Sequence, residues 1–114
     1  MKRIAGLLLL TAGMAFGQTS HSVVLDWTPA VQSGTITFNV YRVTGACPSS
    51  FTLTGLTPLV GGLSASTYTD TTVSVGQYCY AVTAVSGTLE SGPSPDALAA
   101  VTPFPPTGLT VVVH

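Results

Sequence analysis

The chain has 114 residues, of which 46% are hydrophobic and only 6% charged, with a formal net charge of −1. That length makes one domain of ordinary size, and so apolar a chain with so little charge is not intrinsically disordered. Thr, Ser, Gly, Val and Pro are abundant while helix formers are scarce, which points to an all-β domain with a hydroxyl-rich surface.

In chain order, Lys2 and Arg3 precede an apolar run, residues 4–16, that closes with Ala15-Phe16-Gly17 before Gln18. A basic start, a short apolar segment and small residues at its end predict an export signal over residues 1–17, cleaved after Gly17. The run is too short to cross a bilayer, which takes about 20 residues, and no Cys follows it to carry a lipid. The expected location is therefore secreted or at the cell surface, with no membrane span after cleavage. Losing Lys2 and Arg3 leaves Arg42 alone against Asp26, Asp70, Glu90 and Asp96. One basic side chain cannot neutralise a phosphate backbone, so nucleic acid is excluded as a partner.

Residues 21–28 place Val23, Leu25 and Trp27 on one face of a strand that Pro29 ends. Residues 35–43 form the next, with Phe38 and Val40 on one face and Asn39 and Tyr41 on the other. A turn over 45–50 holds Cys47 and Pro48, and residues 51–56 read as a short strand. Pro58 and Gly61-Gly62 break the chain beyond it, and residues 66–71 are short and β-prone. Val75-Gly76 turn the chain into its organising stretch, residues 77–85, Q-Y-C-Y-A-V-T-A-V. Both faces of that period-two pattern are apolar, as in a strand at the centre of a sheet. Ser86-Gly87 makes a tight turn, Gly92-Pro93 and Ser94-Pro95 punctuate, and residues 96–102 form the last conventional strand. Turn signals at intervals of about ten residues mark a sandwich or barrel. Trp27, Phe38, Val40, Tyr78, Tyr80 and Val82 are the expected core.

Cys47 and Cys79 both lie beyond the export signal, and an oxidising compartment favours joining them. If residues 35–43 run antiparallel to 77–85, the end of the first lies beside the start of the second, which brings the two sulfurs together. A closed loop of roughly 33 residues is worth about 3–4 kcal/mol by chain entropy. Zinc would need more ligands, and no His is near either Cys; nothing adjacent would lower a thiol pKa for catalysis.

Five pieces now fall in an order that resembles a fibronectin type III domain of the bacterial extracellular kind. They are V-x-L-x-W at Val23 to Trp27, F-N-V-Y-R at Phe38 to Arg42, Y-T-D at Tyr68 to Asp70, Y-x-Y-x-V-x-A-V at Tyr78 to Val85, and E-S-G-P-S at Glu90 to Ser94. The resemblance covers about residues 22–102, with the domain taken as 18–102. It implies an immunoglobulin-like two-sheet sandwich with Trp27 in the core of strand B. It also implies that Tyr78 is the tyrosine-corner residue, its phenol hydrogen-bonded to backbone just upstream. The disulfide is not a general feature of the family and rests on the strand argument alone.

Both ends depart from that pattern. Only residues 18–21 stand before strand B, too few for a strand A and a turn, yet residues 103–114 read as a Pro-rich linker leading to the strand-like Leu109, Thr110, Val111, Val112 and Val113. Strands A and G run parallel in this fold, so the tail leaves at the pole opposite to where strand A begins. A sandwich is roughly 25 Å long, and the linker spans about 19 Å as polyproline II. Three readings stand: an edge strand or frayed end on its own monomer, pairing within the chain in the reverse direction, or donation to the next subunit by strand addition.

No constellation for catalysis is present. His21 and His114 have no partner for a base–nucleophile pair, Asp26 reads as a solvated sheet residue, Asp70 as a turn acceptor and Glu90 as a loop carboxylate. No enzyme, metal or cofactor is expected, and no R-G-D supports integrin-type adhesion. The expected function is a non-enzymatic extracellular binding or adhesion module. Its partner would be a protein or glycan on the cell surface, met through loops 28–35 and 86–93 or an exposed Tyr41. The alternatives are a filament subunit that binds copies of itself and an accessory domain of a larger surface assembly.

Overall fold

The computed structural model describes the backbone of residues 7–11 and the whole of residues 20–114. The described residues form eight strands and no helix: β1 (Leu7–Thr11), β2 (Ser22–Asp26), β3 (Thr37–Thr44), β4 (Val60–Leu63), β5 (Thr67–Asp70), β6 (Gly76–Ser86), β7 (Leu89–Glu90) and β8 (Ala97–Val101). They make two sheets packed as a sandwich. One has the order β1-β2-β5; the other runs β4-β3-β6, with β7 and β8 sharing the far edge of β6. Every pairing is antiparallel.

β6 is the axis of the larger sheet, and every residue from 78 to 84 is buried. Tyr78, Tyr80, Val82 and Ala84 face the smaller sheet and pack in one core with Val23, Leu25, Trp27, Phe38, Val40, Ala99 and Val101. The Trp27 and Phe38 rings meet edge to face at 5.6 Å. Burying each large side chain contributes about 1.5–3 kcal/mol. The opposite face carries Cys79 and Ala81, which pack with Tyr41 and Phe51 and, at their rim, Val43, Cys47, Leu53 and Leu56.

Residues 45–58 supply that second cover, and here the structure departs from the strand expected at 51–56. The segment is a loop with a tight turn, in which the Leu56 N–H donates to Leu53 O at 2.9 Å. Phe51, Leu53 and Leu56 lie down on the sheet instead of joining its edge. The alternating apolar pattern marked a buried face, and the local backbone satisfies it without a ladder. Cys47 is bonded to Cys79 across a sequence separation of 32, with Cα atoms 5.0 Å apart. In the β3–β6 register Val43 lies opposite Cys79, so the bond ties the loop to the sheet it covers.

The expected break at Gly61-Gly62 is instead the strand β4. A Cβ on Gly61 would sit 2.8 Å from Asn39 Oδ1, and the Gly62 N–H donates to that same oxygen at 3.2 Å. The glycines permit a close approach to β3; they do not end the sheet. At the other edge, β1 comes from within the segment expected to be an export signal. Its backbone pairs with β2 from Leu7 opposite Asp26 to Thr11 opposite Ser22. The expected cleavage point after Gly17 lies outside the described residues. In residues 102–114, the strand-like tail included, no strand forms.

Replacing both Cys47 and Cys79 by Ser should lower the urea-unfolding free energy by about 3–4 kcal/mol. Amide exchange should rise in residues 45–58 well before β6 opens. Unchanged stability, or uniform loss of protection, would show that the bond does not hold that cover in place.

Candidate functional site

Two carboxylates are held by the sandwich itself. Asp70 closes β5 with a side chain fully removed from solvent. Arg42 on β3 pairs with its Oδ2 at 2.8 Å, and Tyr80 donates to the same oxygen at 2.6 Å. Thr72 donates to Oδ1 from both its N–H, at 2.9 Å, and its hydroxyl, at 2.6 Å. Arg42 also donates to the Thr72 hydroxyl and lies 5.1 Å from the centre of the Tyr78 ring. Burial pushes the Asp70 carboxyl up, but the hydrogen bonds from Thr72, Tyr80 and Arg42 outweigh it and hold the group below the usual carboxylate range. Burial and the neighbouring anion push the Tyr80 phenol well up. Tyr78 Oη accepts the Ser74 N–H at 3.0 Å, four residues upstream.

Glu90 on β7 reaches back across the outer face of the large sheet. Its Oε2 accepts from Thr83 at 2.6 Å, Tyr41 at 2.6 Å and Asn39 at 3.1 Å. Those donors, Thr83 foremost and then Tyr41, hold the carboxyl below its ordinary range. Tyr41, expected on the surface, is 4% exposed. The fold-back of residues 45–58 covers its ring and Glu90 takes its hydroxyl. Both carboxylates are thus acceptors for fixed donors of the fold.

E-S-G-P-S has a structural reason. Past β7 the chain leaves β6, and Pro93 and Pro95 have no N–H to give. Ser91 and Ser94 fill the gap: their N–H groups donate to Ala84 O and Val82 O at 2.8 Å. Their hydroxyls accept the Ala84 and Val82 N–H groups at 2.9 and 3.0 Å. The strand edge is satisfied between β7 and β8 without a regular ladder.

One pole gathers two loops and exposed apolar side chains. The loop 28–36 leads into β3 and the turn 86–88 joins β6 to β7, and β3 begins opposite the end of β6, with Thr37 across from Val85. Gly87 turns that corner at φ +61°, a conformation that favours glycine. Val31 is fully exposed and Leu89 is 75% exposed. A shallow groove of about 210 Å³ at this pole is lined by Gln32 and Ile36 of the first loop and by Ala84, Val85, Leu89 and Ser91, among others. The sequence pointed to these loops but not to Val31 or Leu89; an apolar residue between turn formers was the available signal.

The other expected residues divide between the core, its outer cover and the exposed tail. Trp27, Phe38, Val40, Tyr78, Tyr80 and Val82 lie together in the main core, and Cys47 and Cys79 in the covered outer face. Residues 109–113 belong to neither: Leu109, Val111, Val112 and Val113 are open to solvent, and Thr110 is exposed with them. Phe51 is buried, Tyr68 is half-buried against the core, and Phe104 stacks on His21 at 3.9 Å. Among the described residues one grouping has metal-capable side chains close together, Cys47, Cys79 and Asp96. Its two sulfurs are joined to each other and are not thiolate ligands.

No protein-family profile matches the chain, and no curated protein matches its sequence. Solved structures do. A Fn3-like protein from Clostridium thermocellum is 27% identical with a TM-score of 0.54, over 77% of this chain and 81% of that one. The fibronectin type III domain of the human fibronectin type III domain containing protein 3 is 18% identical with a TM-score of 0.60, over 89% and 85%.

The buried ion pair makes stability depend on pH at both ends. The lowered Asp70 carboxyl contributes fully above its unfolded value of about 3.9, and that contribution disappears as the pH falls through the folded value. Tyr80, raised in the fold, stabilises below its unfolded value of about 10 and ceases to do so as the pH rises past it. Urea midpoints should be level between about pH 5 and 9 and fall on either side. Asp70→Asn should cost about 3 kcal/mol or more, because Arg42 loses its counter-charge, and should flatten the acid limb. An acid limb unchanged in that variant would assign it to other carboxylates.

Proposed function

We propose that this chain, a fibronectin type III domain by fold, is an exported non-enzymatic module that binds a protein at the cell surface through the pole formed by residues 28–36 and 86–91. The observation that carries this is the shallow groove lined by Ile36, Val85 and the exposed Leu89, beside the loop that holds the exposed Val31. Neither Val31 nor Leu89 has a packing role in the sandwich, and apolar side chains grouped at a surface mark interaction sites. Among the described residues every aromatic ring is buried or half-buried, so no open ring is offered for a sugar to stack on. Exposed aliphatic side chains beside a groove suit a protein surface.

Export is part of the same reading. The disulfide belongs to an oxidising compartment, and residues 1–17 have the composition of a leader. Intact mass of the protein recovered outside the cell should correspond to a chain beginning at Gln18 with one disulfide. A chain retaining residues 7–11 would make them a permanent strand.

The binding surface is tested by Val31→Ser with Leu89→Ser. Both positions are exposed, so the thermal midpoint should hold within the range of ordinary surface changes, about 0.5 kcal/mol. Retention of the labelled protein on protease-sensitive sites of the source cell envelope should fall about tenfold or more. Undiminished retention would remove this pole from the function.

A further inference from the structure

The edge of β2 away from β5 accepts a short antiparallel strand: β1 lies there, five residues long, with Leu8 opposite Leu25 and Leu10 opposite Val23. If residues 1–17 are removed on export, that edge loses its occupant. Among the described residues, 109–113 are an apolar stretch of the same length that pairs with no strand. Leu109, Val111, Val112 and Val113 are 89%, 78%, 72% and 87% exposed. A bare edge and a bare strand are both hazards for uncontrolled association.

We propose that residues 109–113 of one copy occupy the β2 edge of a second copy, antiparallel to Val23–Trp27 on the side held here by Leu7–Thr11. The inference rests on the leader being removed. Reach decides against an antiparallel strand on the copy's own edge. Phe104 stacks on His21 with rings 8° from parallel, so the tail departs beside the start of β2. An antiparallel strand on that same β2 would have to begin at its far end, about 17 Å away for five residues at about 3.3 Å each. From Phe104 to Leu109 a polyproline path covers about 16 Å. The linker would therefore lie stretched along the very edge to be filled, with nothing left to reverse the chain. A second copy meets no such limit.

Side-chain alternation fits the same assignment. Leu109, Val111 and Val113 share one face of an extended strand, with Thr110 and Val112 on the other. On β2 and just beyond it, Val23, Leu25 and Trp27 face the core at 0%, 4% and 5% exposure. With Val111 opposite Leu25, Leu109 falls opposite Trp27 and Val113 opposite Val23, so three apolar side chains close the core. Main-chain hydrogen bonds give the affinity of such an added strand and alternate side chains its register. Because donor and acceptor are different surfaces of one chain, the contact repeats head to tail and grows a filament unless the rotation closes a ring.

The test uses the oxidised chain from Gln18 to His114, measured by size exclusion with light scattering over a range of concentrations. The expected result is a reversible, concentration-dependent ladder. Val111→Thr should raise the dissociation constant about tenfold or more, since it places a hydroxyl in the core, while Val112→Thr on the outer face should leave it within about twofold. Equal effects of the two substitutions would mean unspecific apolar sticking and would overturn the proposal. So would a monomer at all concentrations, including one whose tail shows nuclear Overhauser contacts with β2 of its own chain. A synthetic peptide of residues 105–114 added to the chain lacking them should bind one to one and shift the amides of Val23, Val24 and Leu25; no shift there also overturns it. Failure of the leader reading is seen separately, as an exported chain whose mass still includes residues 7–11.

Discussion

Everything in this sandwich depends on β6 being buried on both faces. A strand of a two-layer sandwich normally has one dry face and one wet one, and hydroxyl-bearing residues would serve on the wet side. Here the outer side carries Cys79, Ala81 and a fully buried Thr83. The chain resolves this with a third, partial layer, residues 45–58, whose Phe51, Leu53 and Leu56 have no hydrogen-bonded ladder to hold them. A loop that covers a sheet by side chains alone has little to oppose its conformational entropy. The Cys47–Cys79 bond supplies that opposition by joining the cover to the strand beneath it. The disulfide is thus a consequence of the second apolar face and not a general stiffener of the fold.

With so little charge, the few ionic groups are used where the backbone cannot satisfy itself. Arg42, Asp70, Thr72 and Tyr80 bring three strands or their ends to one point, and each oxygen of Asp70 has two donors. Glu90 does the same on the outer face, where it accepts from Asn39, Tyr41 and Thr83. A buried polar group left without a partner costs about 1–3 kcal/mol, so these carboxylates stabilise chiefly by preventing that cost. Ser91 and Ser94 act in the same way with uncharged groups, replacing the ladder that two prolines interrupt.

Much of this was legible in the sequence because period-two alternation reports burial directly. Val23, Leu25 and Trp27, and Tyr78, Tyr80 and Val82, lie inside for that reason, and antiparallel neighbours then bring Cys47 to Cys79. The same signal misleads where burial and pairing separate. Residues 51–56 alternate because they cover a face, and Tyr41 looks solvent-facing because its cover comes from a loop. Gly61-Gly62 reads as a breaker because only the position of Asn39 reveals what the missing side chains make room for. The Arg42–Asp70–Tyr80 contact was hidden for a different reason: sequence gives the types but not which strand ends meet. Val31 and Leu89, as candidate anchors, were visible only as positions in loops, since exposure is a property of the fold.

The two ends of the chain present one physical problem. β2 offers its backbone on one side to β5 and on the other to whatever short apolar strand arrives. The pairing with Leu7–Thr11 needs only main-chain groups and apolar residues at alternate positions, and residues 109–113 offer the same. A leader that holds the edge until it is cut away would keep the chain from pairing with its own kind inside the cell. Removal would then expose the edge in the compartment where the disulfide forms and where other copies are present. Residues 109–113 carry no lysine or proline, the residues that blunt an exposed strand.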